Sequence, residues 1–150
     1  MNADLGRVPL DTARDEVLAE LHAMRSDIHQ IEGSIVATTD GMVIAHDLGA
    51  TETYGVEPEG VAALSAVNLG LSQRIADTAS HGQLLETVVR GSFGQVATYP
   101  AGSRALLTVL VKAGAEVDGL HVIARRVADR VAELLSDAWQ DDAYTWRSPA

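Results

Sequence analysis

The stretch GSIVATTDGMVIAH, residues 33–46, decides the fold. Two short segments rich in β-branched residues, 34–39 and 42–46, flank Asp40 and Gly41. Asp-Gly supplies the positive φ angles of a two-residue type I′ turn, so the stretch predicts a β-hairpin. What the hairpin joins depends on the elements before and after it.

An amphipathic helix is predicted before the hairpin. After Leu10, apolar residues recur along one helical stripe at Val17, Leu21, Met24, Ile28 and Ile31. Gly33 follows this stripe, where a glycine can end a helix as its C-cap. We therefore predict a helix from Leu10 to Gly33, preceded by a flexible lead over residues 1–9.

A second helix is predicted over residues 58–80, after an acidic irregular loop at 47–57. Pro58 suits the first position of a helix. One face of this helix carries Val61, Leu64, Asn68, Leu71 and Ile75. A second face carries Ala62, Ala66, Leu69, Gln73 and Ala76. Two usable faces suggest a homodimer, with one face on the chain's own sheet and the other on a partner. The sequence leaves open which face points outward.

Three strands are predicted next, at 84–90, 94–99 and 105–111, separated by short turns that favour antiparallel neighbours. The third is almost continuously apolar, which is typical of a central strand covered on both faces. A last amphipathic helix follows over residues 117–138.

The predicted order is therefore α-ββ-α-βββ-α. This order indicates an α+β domain over residues 10–139, with a five-stranded antiparallel sheet flanked by helices. Residues 140–150 are predicted to form a polar, flexible tail.

Composition excludes several function classes. The chain has 150 residues, of which 11 are basic and 21 acidic, and its net charge is −10. This charge disfavours nucleic acid and anionic membranes as partners. Cysteine is absent, which removes thiolate chemistry and cysteine-based metal sites. Apolar runs are too short for membrane insertion and the N-terminus lacks the pattern of a signal peptide, so we expect a cytoplasmic protein.

The motifs of common enzymes are also missing. The sequence has no phosphate-binding P-loop, no dinucleotide fingerprint and no GxSxG nucleophile motif. Its five histidines are scattered and lack the spacing of metal ligands. We therefore expect no cofactor, no metal and no enzymatic activity.

Three stretches together resemble the roadblock/LC7 family: residues 33–45, 95–102 and 105–110, which look like its first hairpin and its last two strands. The order of elements also agrees. The resemblance implies a homodimer in which the two long helices, 58–80, pack together and the two third strands, 84–90, pair. It also implies a non-enzymatic dimeric platform for a Ras-like small GTPase, acting as a GTPase-activating component or as a signalling scaffold. The bias towards arginine over lysine fits the actinobacterial type of the family.

The resemblance and the helical pattern together give a set of candidate dimer-interface residues: Val61, Leu64, Asn68, Leu71, Ile75, Val88 and Arg90. An arginine finger donated to a GTPase would come from Arg74, Arg90 or Arg104. Each of these arginines is better explained as a surface or interface residue.

Two alternatives stay open beside this hypothesis. A profilin-like or PAS-like ligand sensor shares the same outline and would need a pocket, and a general protein-interaction module would need only a surface. Most acidic residues lie in the first helix, at 47–60 and in the tail, whereas 84–112 holds one acidic residue, Glu86, against three basic ones. This distribution favours basic partner surfaces.

Overall fold

The computed structural model describes residues 10–49 and 55–147, without the side chains of 140–147, so the predicted lead at 1–9 lies outside the described residues. The elements are α1 (Leu10–Asp27), β1 (Ile31–Thr38), β2 (Val43–Asp47), α2 (Pro58–Thr78), β3 (Thr87–Gly91), β4 (Gly94–Ala101), β5 (Ala105–Lys112) and α3 (Asp118–Arg147). This order confirms the predicted fold class. Within the described ranges no helix is both long enough and apolar enough to cross a membrane.

The five strands form one antiparallel sheet in the order β2-β1-β5-β4-β3. The central strand β5 is buried from Ala105 to Val111, as its continuous apolar sequence predicts. β2 and β3 are the edge strands.

Helices cover both faces of the sheet. On one face, α1 and α3 enclose the larger core, which includes Val17, Leu21, Tyr99, Leu107 and Leu135. On the other face, α2 packs alone over a smaller cluster formed by Ile35, Ala37, Ala62, Leu69 and Leu106. Alternate residues of each strand therefore point towards different helices.

The prediction that Gly33 ends the first helix is wrong. α1 ends at Asp27, and Gly33 lies inside β1. Ile28 and Ile31 continue the apolar pattern although they lie beyond the helix. Ile28 follows α1 and Ile31 begins β1, and both side chains pack in the same core as the helix. A Cβ atom on Gly33 would lie 3.0 Å from the Asp47 carbonyl oxygen and 3.0 Å from the Leu48 Cα. The glycine is explained by this close approach of two strands.

The hairpin β1–β2 is confirmed, but its turn is not type I′. Gly41 N–H donates to the Thr38 carbonyl at 2.9 Å, and Thr38 N–H donates to the Met42 carbonyl at 2.9 Å. Gly41 has φ +92°, whereas Asp40 lacks the positive φ that a type I′ turn needs at both central positions. The connection is a three-residue loop in which the glycine alone is left-handed.

Asp47, which was predicted to begin an acidic irregular loop, is buried at the end of β2. Its carboxylate accepts a hydrogen bond of 2.8 Å from Arg25 Nε and lies 3.1 Å from His22 Nδ1. Both partners come from α1. This carboxylate therefore ties β2 to the helix layer and is not available to a partner.

Three later boundaries also differ from the prediction. β3 begins at Thr87 and not at residue 84. β4 runs through Pro100 to Ala101, and the turn is made by Gly102 with φ +69°. α3 extends to Arg147, beyond the predicted end at residue 138 and into the segment predicted as a tail.

Candidate interaction surface on α2 and β3

α2 presents opposite faces to the sheet and to solvent. Its inner face buries Ala62, Ser65 and Leu69. Its outer face carries four large apolar side chains with high exposed fractions, namely Leu64 (73%), Val67 (68%), Leu71 (57%) and Ile75 (62%). The structure thus settles which face of α2 points outward. Below we call these four residues the α2 stripe.

The edge strand β3 extends this apolar surface. Val89 is 54% exposed on the α2 side of the sheet, and its neighbour Val88 is 41% exposed on the opposite face. An open groove of about 430 Å³ runs between α2 and β3, with Ile75 on one wall and Val89 on the other. Exposed apolar surface of this extent is typical of protein–protein interaction sites.

The structure brings together only part of the predicted interface. Leu64, Leu71 and Ile75 lie in the α2 stripe. Val61 is half-buried and packs against the cluster beneath α2, so it offers little free surface. Asn68 is also half-buried, and its Nδ2 donates a 3.1 Å hydrogen bond to Thr87 Oγ1, which links α2 to β3.

The two predicted β3 residues lie on the other side of the sheet from α2. Val88 is in register with Ala97, whose side chain belongs to the core under α1 and α3. Arg90, two residues further along, shares that face. Val89 points towards α2, because it is in register with Val96 on the alternate face.

Sequence reasoning missed Val67 and Val89. Val67 lies three residues after Leu64 and four before Leu71, so helical spacing alone could have found it. Strand alternation would have assigned Val89 to the α2 side if the face of one adjacent β3 residue, such as Val88, had been known. That face depends on pairing with β4, which no local pattern encodes.

The three candidate finger arginines lie on three different elements. Arg74 is exposed on α2, where it borders a shallow apolar depression beside Leu71 and Ile75. Arg90 is exposed on β3. Arg104, in the β4–β5 turn, stacks on the Trp139 ring at 4.3 Å from its centroid. This cation–π contact gives Arg104 a role within the fold.

Polar contacts anchor the residue that precedes β3. Glu86 Oε1 lies 3.6 Å from Arg125 Nη2 of α3. Nearby, the Tyr99 hydroxyl and His121 Nδ1 are 2.7 Å apart. Burial, reinforced by the charge of Glu86, raises the pKa of Tyr99, so its hydroxyl stays protonated. Glu86 is therefore held on the α3 side of the sheet.

A separate open cleft of about 690 Å³ lies between the β4–β5 turn and α3. Its walls mix charges of both signs, including Arg104, Arg130 and Asp137, with Trp139. This cleft is where the alternative of a ligand sensor would place a small molecule. Among the residues that the structure describes, no group of three or more acidic or histidine side chains could hold a metal ion.

Comparison with known proteins gives a consistent result. The sequence profile described as the Roadblock/LC7 domain matches residues 17–111. No curated protein sequence matches the chain significantly.

Among solved structures, the chain resembles MglB in a tetrameric arrangement, with a TM-score of 0.77, 19% identity, and coverage of 84% of this chain and 92% of that one. The gliding protein MglB from Thermus thermophilus gives a TM-score of 0.73 and 18% identity, with 81% and 90% coverage. A Roadblock/LC7 domain from Streptomyces avermitilis gives a TM-score of 0.70 and 17% identity, with 79% and 97% coverage.

At such identities these structures speak for the fold alone, and the family rests on the profile match, which spans more than half of the residues. The described fold, with its lone α2 and its open β3 edge, agrees with both comparisons. The chain belongs to the Roadblock/LC7 domain family, a family of regulatory and protein-interaction domains.

Proposed function

We propose that this protein is a non-enzymatic, homodimeric regulator of a Ras-like small GTPase, and that the α2 stripe and β3 form its dimer interface. The observation that carries the proposal is the continuous apolar surface formed by four side chains of α2 and the neighbouring edge strand. A two-fold dimer covers such a surface with its own copy.

The α2 stripe can supply much of the free energy of association. Removing a Leu, Ile or Val side chain from water contributes about 1.5–3 kcal/mol when burial is complete. A two-fold interface uses each side chain twice, so the four residues of the stripe count eight times. Such a sum can exceed the loss of rotational and translational freedom on association, which costs about 4–15 kcal/mol.

The edge strand adds a second reason for self-association. A strand at the edge of a sheet leaves backbone N–H and C=O groups unpaired, and long apolar edges invite uncontrolled pairing. β3 is such an edge, and its exposed Val89 lies beside the groove between α2 and β3. Pairing with the β3 of a second copy would satisfy these groups and join two sheets into one.

The GTPase part of the proposal rests on the family. The chain has no phosphate-binding loop of its own, so in this proposal the nucleotide belongs to the partner. A dimer can regulate a GTPase by binding its switch loops in one conformation and shifting their equilibrium. We place this activity in the cytoplasm.

The decisive experiment combines oligomeric state with GTPase activity. We expect Leu71→Glu to give folded monomers in sedimentation velocity, because the charge cannot be buried in an apolar interface. Met42→Glu is the matched control, since Met42 is 66% exposed near the opposite edge of the sheet and should leave the dimer intact.

The same three proteins are then added to purified Ras-like GTPases from the source genome. The wild-type protein and Met42→Glu should change GTP hydrolysis or nucleotide release, and Leu71→Glu should not. A wild-type dimer that alters neither rate would contradict the regulatory role. A wild-type monomer would contradict the dimer.

A further inference from the structure

The edge strand β3 carries opposite charges on one face. Glu86 directly precedes the strand and Arg90 lies four residues later, near its end. Glu86 contacts Arg125 of α3. Val88, which lies between Glu86 and Arg90 in the sequence, is in register with Ala97 of the core under α1 and α3. By alternation, Glu86, Val88 and Arg90 all face the α3 side of the sheet.

Both charged groups have unused bonding capacity. Arg90 is exposed, and no ion pair within the described part of the chain includes it. Glu86 Oε1 is buried without a hydrogen-bond partner there, since Arg125 Nη2 at 3.6 Å is beyond hydrogen-bond distance. A carboxylate in this position gains from a second cationic neighbour.

Symmetry limits how two β3 strands can pair. In an antiparallel pair, residues opposite each other point to the same face of the sheet. When a two-fold axis passes through the sheet between identical strands, the numbers of opposed residues must therefore have an even sum. The axis then passes beside one residue of β3, which lies opposite its own copy.

We propose that two copies of this chain pair β3 antiparallel with the two-fold axis at Val88, so that Glu86 of each lies opposite the partner's Arg90. This inference rests on the proposed dimer and adds its register and the two residues that select it. Two symmetric ion pairs then flank the paired valines, and each Glu86 lies between Arg125 of its own chain and the partner's Arg90.

Neighbouring registers lack this match. With the axis at Thr87, Arg90 lies opposite the partner's Leu84, and with the axis at Val89 it lies opposite the partner's Val88. With the axis at Arg90, two like charges meet. Directly opposed side chains have Cβ atoms about 4.5–5.5 Å apart, whereas diagonal neighbours are about 7–8 Å apart, so direct opposition gives the closest charge pairing. Val88 as the centre pairs both charges at once.

This arrangement would also make the dimer selective for its own chain. A related chain with a different charge pattern on its third strand would place like charges or an apolar residue opposite Glu86 and Arg90. Such mismatches lower the affinity for the wrong partner. The ion pairs therefore specify self-recognition, while the α2 stripe supplies most of the buried apolar surface.

The test reverses one charge at a time in the full chain. In a homodimer, Glu86→Arg places two pairs of arginines opposite each other, and Arg90→Glu places two pairs of glutamates. We expect each variant to raise the dimer dissociation constant about tenfold or more in sedimentation equilibrium. Arg14→Glu and Glu16→Arg, exposed positions on α1, make the same charge changes away from the sheet and should leave it unchanged.

The mixture of the two variants is the sharper measurement. One chain then carries two basic residues and the other two acidic residues, so every opposed pair is again of opposite charge. We expect native mass spectrometry of an equal mixture to show the heterodimer in large excess over either homodimer. Circular dichroism first establishes that each variant is folded.

The Glu86→Arg variant could fail to fold, because Glu86 is partly buried. The Arg90→Gln variant tests the same ion pair at an exposed residue, where a folding defect is not expected. The wild-type dimer should weaken as salt is added, and Arg90→Gln should weaken much less over the same range. If both reversals dimerise like the wild type, or the mixture gives no excess of heterodimer, the proposed register is wrong, while disruption by Leu71→Glu would still support the dimer. A monomeric wild type would overturn both proposals.

Discussion

Asp47 is a buried carboxylate that joins two layers of the fold. Its Oδ2 lies 2.8 Å from Arg25 Nε and 3.1 Å from His22 Nδ1, and both residues belong to α1. Burial by itself raises the pKa of Asp47. The hydrogen bond from Arg25, the charges of His22 and Arg25 and a backbone hydrogen bond from Gly49 together lower that pKa below its ordinary value of 3.8.

This direction fixes how Asp47 contributes to stability at different pH values. Because its pKa is lower in the folded state, the ionised form stabilises the fold above the ordinary value of 3.8 that applies to the unfolded chain. The contribution is lost as pH falls through the folded pKa. Sequence reasoning could not find this role, since Asp47 was grouped with the acidic residues of the irregular loop at 47–57 and its partners lie more than twenty residues earlier.

We expect Asp47→Asn to lower the free energy of unfolding by about 2 kcal/mol near neutral pH, because Arg25 loses its hydrogen bond to a buried, ionised carboxylate. The difference from the wild type should shrink as the pH falls below about 4, where the wild-type carboxylate becomes protonated. Urea unfolding followed by circular dichroism at a fixed protein concentration measures both effects. Glu16→Gln, at an exposed position on α1, is the control. A difference that stays constant down to about pH 2 would contradict the ionic role.

At the scale of elements, α2 is tied to the segment that leads into β3. Gln73 Nε2 donates to Asp77 Oδ1 at 2.9 Å and to the Gly82 carbonyl at 3.3 Å. Its Oε1 accepts the Leu84 N–H at 3.1 Å. One side chain thus bridges α2 and the turn that follows it, and it fixes the start of the edge strand relative to the α2 stripe.

We expect Gln73→Ala to loosen this connection while the sheet stays intact. The Leu84 amide should exchange with solvent about tenfold faster, because its hydrogen-bond acceptor is removed. The amides of β5 should keep their protection. Gln83→Ala, an exposed glutamine in the same segment, is the matched control in hydrogen–deuterium exchange. Unchanged exchange at Leu84 would show that the backbone holds the segment without Gln73.

Much of this element layout could be predicted because it depends on local patterns. The 3.6-residue period located α2, and the apolar runs located β4 and β5. The end of α1 could not be located, since Ile28 and Ile31 continue a helical spacing while they pack from a turn and a strand. Gly33 was misread because its contact with Asp47 and Leu48 is a long-range property of the sheet. For the same reason the outward face of α2 became known only from its packing on the sheet.

At the scale of the whole molecule, the acidic side chains behind the net charge of −10 are not equally free to contact a partner. The Asp47 carboxylate is buried and forms an ion pair with Arg25, and Glu86 lies close to Arg125 at the edge of the sheet. The Asp47 carboxylate is therefore not available to a basic partner surface. The acidic bias that remains on the exposed surface still favours a basic partner surface, away from the apolar α2 stripe.

A dimer that buries the α2 stripe has one further consequence for the complete protein. Its unfolding separates two chains, so its stability must depend on concentration. We expect the Tm of the wild-type protein to rise by about 2 °C for each tenfold increase in concentration, from the unfolding entropy typical of a dimer of this size. The Tm of Leu71→Glu should not change with concentration, because its unfolding involves one chain.

The Tm of Met42→Glu should rise with concentration as the wild-type Tm does. Differential scanning calorimetry between roughly 2 and 200 µM covers the needed range. A wild-type Tm that is independent of concentration would mean that the α2 stripe is covered by something other than a second copy of this chain.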